Sequence, residues 1–136
     1  MSSAGAGRLQ DMTDIFTHVR TVAVPVTDQS RSKALFEDLG LTTTLDTELQ
    51  PGFRWIELAL PGGGASISLV GGGGDLPVGI DTGIRLITPD ARAAHAALAE
   101  RGLDVGDLLD WPTAPLMFSF TDPDGNRFYV TQGDPR

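Results

Sequence analysis

The sequence predicts an α+β fold in which two tandem β-α-β-β-β modules form a cleft. Three observations predict it: an internal repeat at a shift of 62 residues, a helix-ending glycine at the same place in both copies, and a strand–turn–strand pattern near the end of the second copy. Such a repeat indicates one supersecondary unit used twice. Residues 15–133 are therefore expected to form a single domain, with modules at about residues 15–70 and 82–132 joined by a glycine-rich linker.

The strands of the two copies correspond along most of their length. The shift of 62 residues places the segment TVAVPV on GIRLIT, and RWIELALP on LMFSFTDP. The closing strands, in ASISLV and RFYVT, follow at a shift of 61 because the first copy has one extra glycine in its turn. Alternation of apolar and polar residues in these segments is typical of half-buried strands. A further strand in each copy is expected within residues 42–48 and 103–109.

One helix is expected in each copy, at about residues 29–39 and 89–101. For the first helix, Asp28 or Ser30 is the N-cap candidate, because either side chain can accept a hydrogen bond from a free backbone N–H. For the second helix, Thr88 is the N-cap candidate and Pro89 suits the first helical position. A Gly-Leu pair ends each helix.

Composition and charge restrict the classes of protein that this chain can be. Its 136 residues are 40% hydrophobic and 21% charged, which is typical of a globular domain. The absence of cysteine excludes disulfides, thiolate metal sites and a cysteine nucleophile. A formal net charge of −8 disfavours nucleic acids and anionic membranes as partners, because their phosphates would be repelled.

The N-terminal residues carry no targeting signature. Residues 1–14 lack the basic start and apolar stretch of a secretory signal, and we expect a flexible tail in which Met12 is a second candidate start. No apolar run approaches the roughly 18 residues that a membrane span needs. We therefore expect a cytoplasmic protein that binds a small molecule, with neither nucleic acid nor membrane as a partner.

Strand alternation assigns the side chains to two faces. In the last strand, Phe128 and Val130 are expected to face the helices, and Tyr129 the opposite side. The side away from the helices carries aromatic, small and a few polar residues, a mixture typical of a small-molecule pocket. The candidate ligand-binding residues, including two from neighbouring turns and loops, are Thr21, Phe53, Trp55, Glu57, Ser68, Arg85, Trp111, Met117, Ser119 and Tyr129.

Several of these candidates suit a flat organic ligand. Trp55 and Met117 correspond across the repeat, and an indole and a thioether contact aromatic rings favourably. Trp111 lies in the proline-containing segment DWPTAPLMF, which is placed to wall one end of the cleft. Glu57 beside Arg85 is a candidate acid–base pair, with a solvated or dimer-interface ion pair as the open alternative.

The repeat and the final hairpin resemble a known superfamily. The segments that carry the resemblance are VAVPVTDQSRSKALFEDLGL, IRLITPDARAAHAALAERGLDV and FTDPDGNRFYV, within about residues 16–132. They resemble the vicinal oxygen chelate superfamily, which includes glyoxalase I, extradiol dioxygenases, fosfomycin-resistance enzymes and bleomycin-type resistance proteins. The resemblance implies paired modules whose sheets curl around a cleft, commonly completed in a homodimer.

The resemblance also implies where metal ligands would stand. The metal enzymes of the superfamily place a His, Gln or Glu on the first and the last strand of each module. The corresponding positions here are Thr21, Ser68, Gly83 and Tyr129, of which none is a preferred ligand for a divalent transition metal. We therefore expect no metal and no other cofactor.

The sequence favours metal-independent binding of a hydrophobic or aromatic small molecule, as in sequestration of an antibiotic for resistance. The expected partners are this ligand and a second copy of the chain, with no catalytic residue. One alternative is an enzyme of the same superfamily, a lyase, isomerase, hydrolase or dioxygenase-like protein, that uses Glu57, Tyr129 or His18 with or without metal. Another is a structural or regulatory module that binds a partner protein. His95 is expected on the solvent side of the second helix.

Overall fold

The computed structural model of the chain describes residues 14–72 and 76–133. Residues 1–13 of the expected tail and residues 73–75 of the expected linker lie outside this part. The described elements are β1 (Thr21–Val26), α1 (Gln29–Asp38), β2 (Thr42–Gln50), β3 (Phe53–Ala59), β4 (Ser66–Gly71), β5 (Asp81–Thr88), α2 (Ala91–Glu100), β6 (Asp104–Val105), β7 (Met117–Thr121) and β8 (Arg127–Gln132). The predicted α+β fold with two β-α-β-β-β modules is confirmed.

Each module folds into its own four-stranded sheet, and the two sheets have the same topology. Sheet 1 has the strand order β1-β4-β3-β2, and sheet 2 the order β5-β8-β7-β6. The first and last strands of each module pair in parallel, while the other pairs are antiparallel. The repeat seen in the sequence therefore reflects two structurally equivalent units.

Aspartates cap both helices. The Asp28 carboxylate accepts a hydrogen bond from the backbone N–H of Arg31 at 3.0 Å, and the Asp90 carboxylate accepts one from Ala93 at 3.1 Å. The prediction that Thr88 caps α2 is wrong: Thr88 is the last residue of β5, and the helix begins at Ala91. The carboxylate of Asp90, whose backbone is extended, is the group that reaches the free N–H. Neither described helix is long and apolar enough to cross a membrane.

One hydrophobic core joins the two modules. Phe36 of α1 packs edge-on against Phe128 of β8 with ring centroids 5.6 Å apart, so the helix of the first module contacts the sheet of the second. The predicted helix-facing strand residues supply most of the core. They include Val24, Val26, Ile56, Leu58, Ile67, Leu69, Phe118, Phe120, Phe128 and Val130, all buried. The other face of each sheet lies on the far side from this core, and we call it the outer face.

The prediction for His95 is wrong. Its side chain is half-buried, with Nε2 2.8 Å from the carbonyl oxygen of Gly106 and the ring edge-on to Phe118 at 5.0 Å. This face of α2 therefore packs on sheet 2, and His95 is a packing residue.

A turn of the second module is hydrogen-bonded to the end of β1 and to the segment before β5. Asn126 is fully buried, and its Nδ2 donates to the carbonyl oxygen of Pro25 at 2.9 Å. Its Oδ1 accepts from the backbone N–H groups of Gly79 and Ile80 at 2.9 and 3.0 Å. The buried amide thereby links both modules and the segment between them.

Candidate functional site

The outer face of sheet 1 brings four predicted residues close together. Strand pairing sets Glu57 of β3 opposite Ser68 of β4, and Thr21 of β1 opposite Ser66. Trp55 lies two residues before Glu57 on the same strand, so both side chains project from the same face. Sequence alternation thus placed these side chains correctly on one surface.

A buried carboxylate lies at the centre of this face. Glu57 is only 7% exposed, and its Oε2 accepts a hydrogen bond from Trp55 Nε1 at 2.8 Å. Both carboxylate oxygens lie 3.4 Å from a guanidinium nitrogen of Arg20, the residue just before β1. The predicted pairing of Glu57 with Arg85 does not occur within the chain, because Arg85 is on sheet 2.

Aromatic rings border this carboxylate. The ring centroids of Phe53 and Trp55 are 6.1 Å apart with an angle of 59° between their planes. Phe53 is 40% exposed and Trp55 is half-buried. Together the two rings offer an accessible apolar surface to which a flat ligand can stack.

Hydroxyl groups at the β1–β4 edge of the face are bonded to one another. Thr21 Oγ1 lies 2.6 Å from Ser68 Oγ and donates to the carbonyl oxygen of Ser66 at 3.1 Å. It also accepts a hydrogen bond from Ser66 Oγ at 2.7 Å. Ser68 is fully buried. These groups are therefore held in an internal network rather than directed at a common point in front of the sheet.

On the outer face of sheet 2, Tyr129 is held from two sides. Its hydroxyl donates to Asp81 Oδ2 at 2.6 Å, and the Arg85 guanidinium carbon lies 3.9 Å from the centroid of its ring. The phenol hydrogen bond, together with the backbone N–H of Gly83, lowers the pKa of the Asp81 carboxyl below its usual value. Tyr129 lies on the face predicted from strand alternation, and the contact with Arg85 is a cation–π interaction.

The predicted residues of sheet 2 line one hollow. Its volume is about 390 Å³, and its lining includes Arg85, Met117, Ser119 and Tyr129. Trp111 lies in the loop between β6 and β7, is 56% exposed, and is outside this lining.

The two outer faces are separate within one chain. Across residues 14–72 and 76–133, no hydrogen bond joins the predicted residues of sheet 1 to those of sheet 2. The repeat-related pair Trp55 and Met117 is accordingly divided between the faces. Each chain presents two outer faces of different chemistry, one with a buried carboxylate and one with a guanidinium.

The positions that hold metal in the superfamily do not fit a divalent transition metal. Thr21 and Ser68 are engaged with each other, Gly83 has no side chain, and the Tyr129 hydroxyl is bonded to Asp81. Among the residues that the structure describes, no group of three or more His, Cys, Asp or Glu side chains could hold a metal ion. The donor set thus supports no step that proceeds through a metal.

Sequence reasoning missed two residues of these faces. Arg20 precedes β1, where strand alternation gives no guidance, and its long side chain reaches back to Glu57. Asp81 begins β5 and shares the parity of Gly83 and Arg85, a signal that could have placed it beside Tyr129.

Solved structures resemble the chain over nearly its whole length. TnmS3, an antibiotic binding protein from Streptomyces sp. CB03234, is 33% identical, with 88% of this chain and 98% of that chain covered and a TM-score of 0.77. A glyoxalase/bleomycin resistance protein from the same organism is 32% identical, with 85% and 100% covered and a TM-score of 0.72. A superfamily member from Sphaerobacter thermophilus DSM 20745 is 27% identical, with 88% and 99% covered and a TM-score of 0.76.

The family model agrees with these structural relatives. The chain has no match among curated proteins. The model of the Glyoxalase/Bleomycin resistance protein/Dioxygenase superfamily matches residues 16–130, which include both modules and both outer faces. On this match, and on the shared fold, the chain belongs to the Glyoxalase/Bleomycin resistance protein/Dioxygenase superfamily.

Proposed function

We propose that the chain binds a hydrophobic, planar aromatic small molecule without metal, and that it retains this molecule unchanged, as in sequestration of an antibiotic in the cytoplasm. The observation that carries the proposal is the accessible ring surface of Phe53 and Trp55 on the outer face of sheet 1. TnmS3, the 33% identical relative, is an antibiotic binding protein, which supports this class of function.

The physical basis is removal of apolar surface from water on both partners. Burial of apolar surface stabilises a complex by about 25 cal/mol per Å². A planar ligand stacked on the Trp55 indole gains this free energy and the further stabilisation of an aromatic pair. The Trp55 side chain also loses little conformational entropy on binding, because its N–H is already hydrogen-bonded to Glu57.

A second copy of the chain completes the site in this proposal. The outer faces of sheets 1 and 2 differ in chemistry and are separate within one chain, so each lacks a facing wall. A homodimer that sets sheet 1 of one copy against sheet 2 of its partner would form two equivalent clefts, as expected of a two-fold assembly. Each cleft would combine the rings near Glu57 with the hollow beside Tyr129.

The first prediction concerns Trp55. Replacement Trp55→Ala removes the largest ring of the surface, and we expect affinity for a planar aromatic ligand to fall by roughly 1–3 kcal/mol, about 5- to 150-fold. Equilibrium dialysis with anthracene-9-methanol, a neutral fused-ring probe, measures this loss, and sedimentation at the same concentrations gives the oligomeric state.

The matched control is Leu76→Ala, which removes another exposed apolar side chain, in the segment between the modules. Affinity should be unchanged in this variant. Equal affinity of Trp55→Ala and wild type would exclude the indole as the binding surface.

Mass spectrometry of the recovered ligand tests the enzyme alternative. A binding protein returns the ligand unchanged, whereas an enzyme would convert it.

A further inference from the structure

Glu57 is the charged group at the centre of the proposed ring-binding surface. Its side chain is 9% exposed, whereas that of its cationic neighbour Arg20 is 76% exposed. Taking a carboxylate out of water is costly unless it is paired and hydrogen-bonded. The partners of Glu57 therefore determine which ligands this surface can accept.

Only one of these partners is close. Charge-assisted N–H···O bonds are usually about 2.7–2.9 Å long. The hydrogen bond from the Trp55 N–H to Oε2 is 2.8 Å long and lies in this range. The Arg20 guanidinium nitrogen is 3.4 Å from both oxygens, which is longer. Within the described residues, Oε1 has no shorter hydrogen bond than this one. One oxygen of a buried carboxylate is thus weakly paired, and its partner is an exposed side chain.

A flat ligand lying on Phe53 and Trp55 would remove the remaining water from this oxygen. A ligand without a hydrogen-bond donor would leave Oε1 poorly satisfied, which weakens binding. A ligand anion would be repelled by the carboxylate. A ligand cation would replace Arg20 and preserve the charge balance, and the adjacent indole face favours a cation as well. On the facing sheet 2 of the proposed dimer, the Arg85 guanidinium is already engaged with the Tyr129 ring.

We propose that the ligand of this surface is a planar aromatic molecule with a protonated nitrogen, which displaces Arg20 and donates to Glu57. The inference rests on the proposed ring-binding function and specifies its ligand class. Arg20 is then a displaceable counter-ion that keeps Glu57 paired when no ligand is bound. Glu57 discriminates between ligands of similar shape by their charge.

The test uses three probes with the same fused three-ring size: 9-aminoacridine, a cation at pH 7, neutral anthracene-9-methanol, and anthracene-9-carboxylate, an anion. Dissociation constants are measured by equilibrium dialysis for wild type and Glu57→Gln. The amide keeps an oxygen that can accept from Trp55 but has no charge. We expect the ratio of cation to neutral affinity to fall about tenfold or more in Glu57→Gln.

The control is Glu48→Gln, because the chain's net charge of −8 attracts any cation from a distance. Glu48 pairs in register with Arg54, is exposed, and lies on the opposite face of the sheet from Glu57. Glu48→Gln removes the same charge as Glu57→Gln but leaves the outer face intact. Its ratio of cation to neutral affinity should therefore stay within about twofold of that of wild type. An equal fall in both variants would overturn the inference.

Arg20→Ala gives a second, independent readout that does not alter Glu57. Removal of the competing cation should raise the affinity for 9-aminoacridine, and an unchanged or lower affinity would overturn the displacement. If the neutral ring binds but Glu57→Gln leaves the charge preference unaltered, only this inference fails. If none of the three probes binds wild type, the ring-binding function itself fails.

Discussion

Tyr129 illustrates how a single side chain on the outer face is positioned. Its hydroxyl is bonded to Asp81 at 2.6 Å while Arg85 lies over its ring at 3.9 Å. The phenol is therefore a donor already committed to a carboxylate, and its ring is covered on one side by a cation. In the proposed cleft Tyr129 contributes a rigid aromatic surface, and Arg85 contributes a positive charge.

The effect of Tyr129 on Asp81 can be measured. In Tyr129→Phe the phenol donor is lost, so we expect the lowered pKa of Asp81 to rise toward the ordinary value of about 3.9. A depressed pKa stabilises the folded chain above the unfolded-state value, and that contribution is lost as the pH falls through the folded-state value. The stability deficit of the variant at pH 7 should therefore shrink in acid.

NMR titration of the Asp81 carboxyl and urea unfolding at about pH 7 and pH 2 provide the two measurements. Ser119→Ala is the control, since Ser119 lies opposite Tyr129 in the ladder but makes no bond to Asp81 within the described residues. An unchanged Asp81 pKa in Tyr129→Phe would show that the phenol is not the cause of the shift.

At the residue scale the sequence predicts faces better than partners. Alternation along β3 and β8 is a local property, and it placed Trp55, Glu57 and Tyr129 on the outer faces correctly. Partners depend on chain geometry in three dimensions. Arg20 contacts Glu57 across 37 residues of sequence, and no local pattern indicates this contact.

At the element scale, the start of α2 shows why helix boundaries are hard to predict. Thr88 followed by Pro89 fits the usual start of a helix, but Asp90, two residues after Thr88, is the residue that caps α2. Thr88 instead completes β5, where it pairs with Gln132 of β8. Because Thr88 belongs to the strand ladder, the helix begins only after Asp90.

Mutation can distinguish Asp90 from Thr88 as the N-cap of α2. Asp90→Ala leaves the Ala93 N–H without its acceptor, and we expect a loss of about 0.5–2 kcal/mol in the free energy of unfolding. Thr88→Ala, which serves as the control, should cost less because the Thr88 hydroxyl makes only contacts of 3.4–3.5 Å around Asp90. A larger loss in Thr88→Ala, measured by urea denaturation, would reassign the cap.

At the scale of the whole molecule, a buried amide is one of the contacts that join the modules. Asn126 joins the turn of the second module to Pro25 of the first and to the segment before β5. Its Nδ2 also donates to Asp122 at 3.1 Å, so every polar group of the amide is satisfied. Because the surroundings are buried, removing the amide leaves several groups unpaired.

Asn126→Ala should therefore lower the free energy of unfolding by roughly 2–4 kcal/mol. Chemical denaturation followed by circular dichroism measures the change. Arg127→Ala is the matched control, because it alters the next side chain, which is exposed, without touching the amide. A loss as small as that of the control would mean that the amide adds little to the apolar core and to the Arg31–Asp124 and Arg101–Asp38 ion pairs, which also join the modules.

The repeat does not predict how the two modules pack against each other. The repeat indicates that each half folds alike, and both sheets confirm it. It contains no information on how the halves meet, because contacts such as Phe36 with Phe128 join non-equivalent positions of the two copies. The resemblance implied a cleft that is commonly completed in a homodimer, and the chain carries the outer faces of its two sheets as separate surfaces.

The spacing of these contacts along the chain bears on how the protein folds. Each module closes by contacts such as Thr21 with Ser66 and Tyr129 with Asp81, at separations of 45 and 48 residues, whereas Asn126 and Pro25 are 101 residues apart. Longer loops cost more entropy to close, so we expect each module to form before the link between them. Loss of this late contact should accelerate unfolding and leave the folding rate nearly unchanged. The buried amide would then govern how long the folded chain persists rather than how quickly it forms.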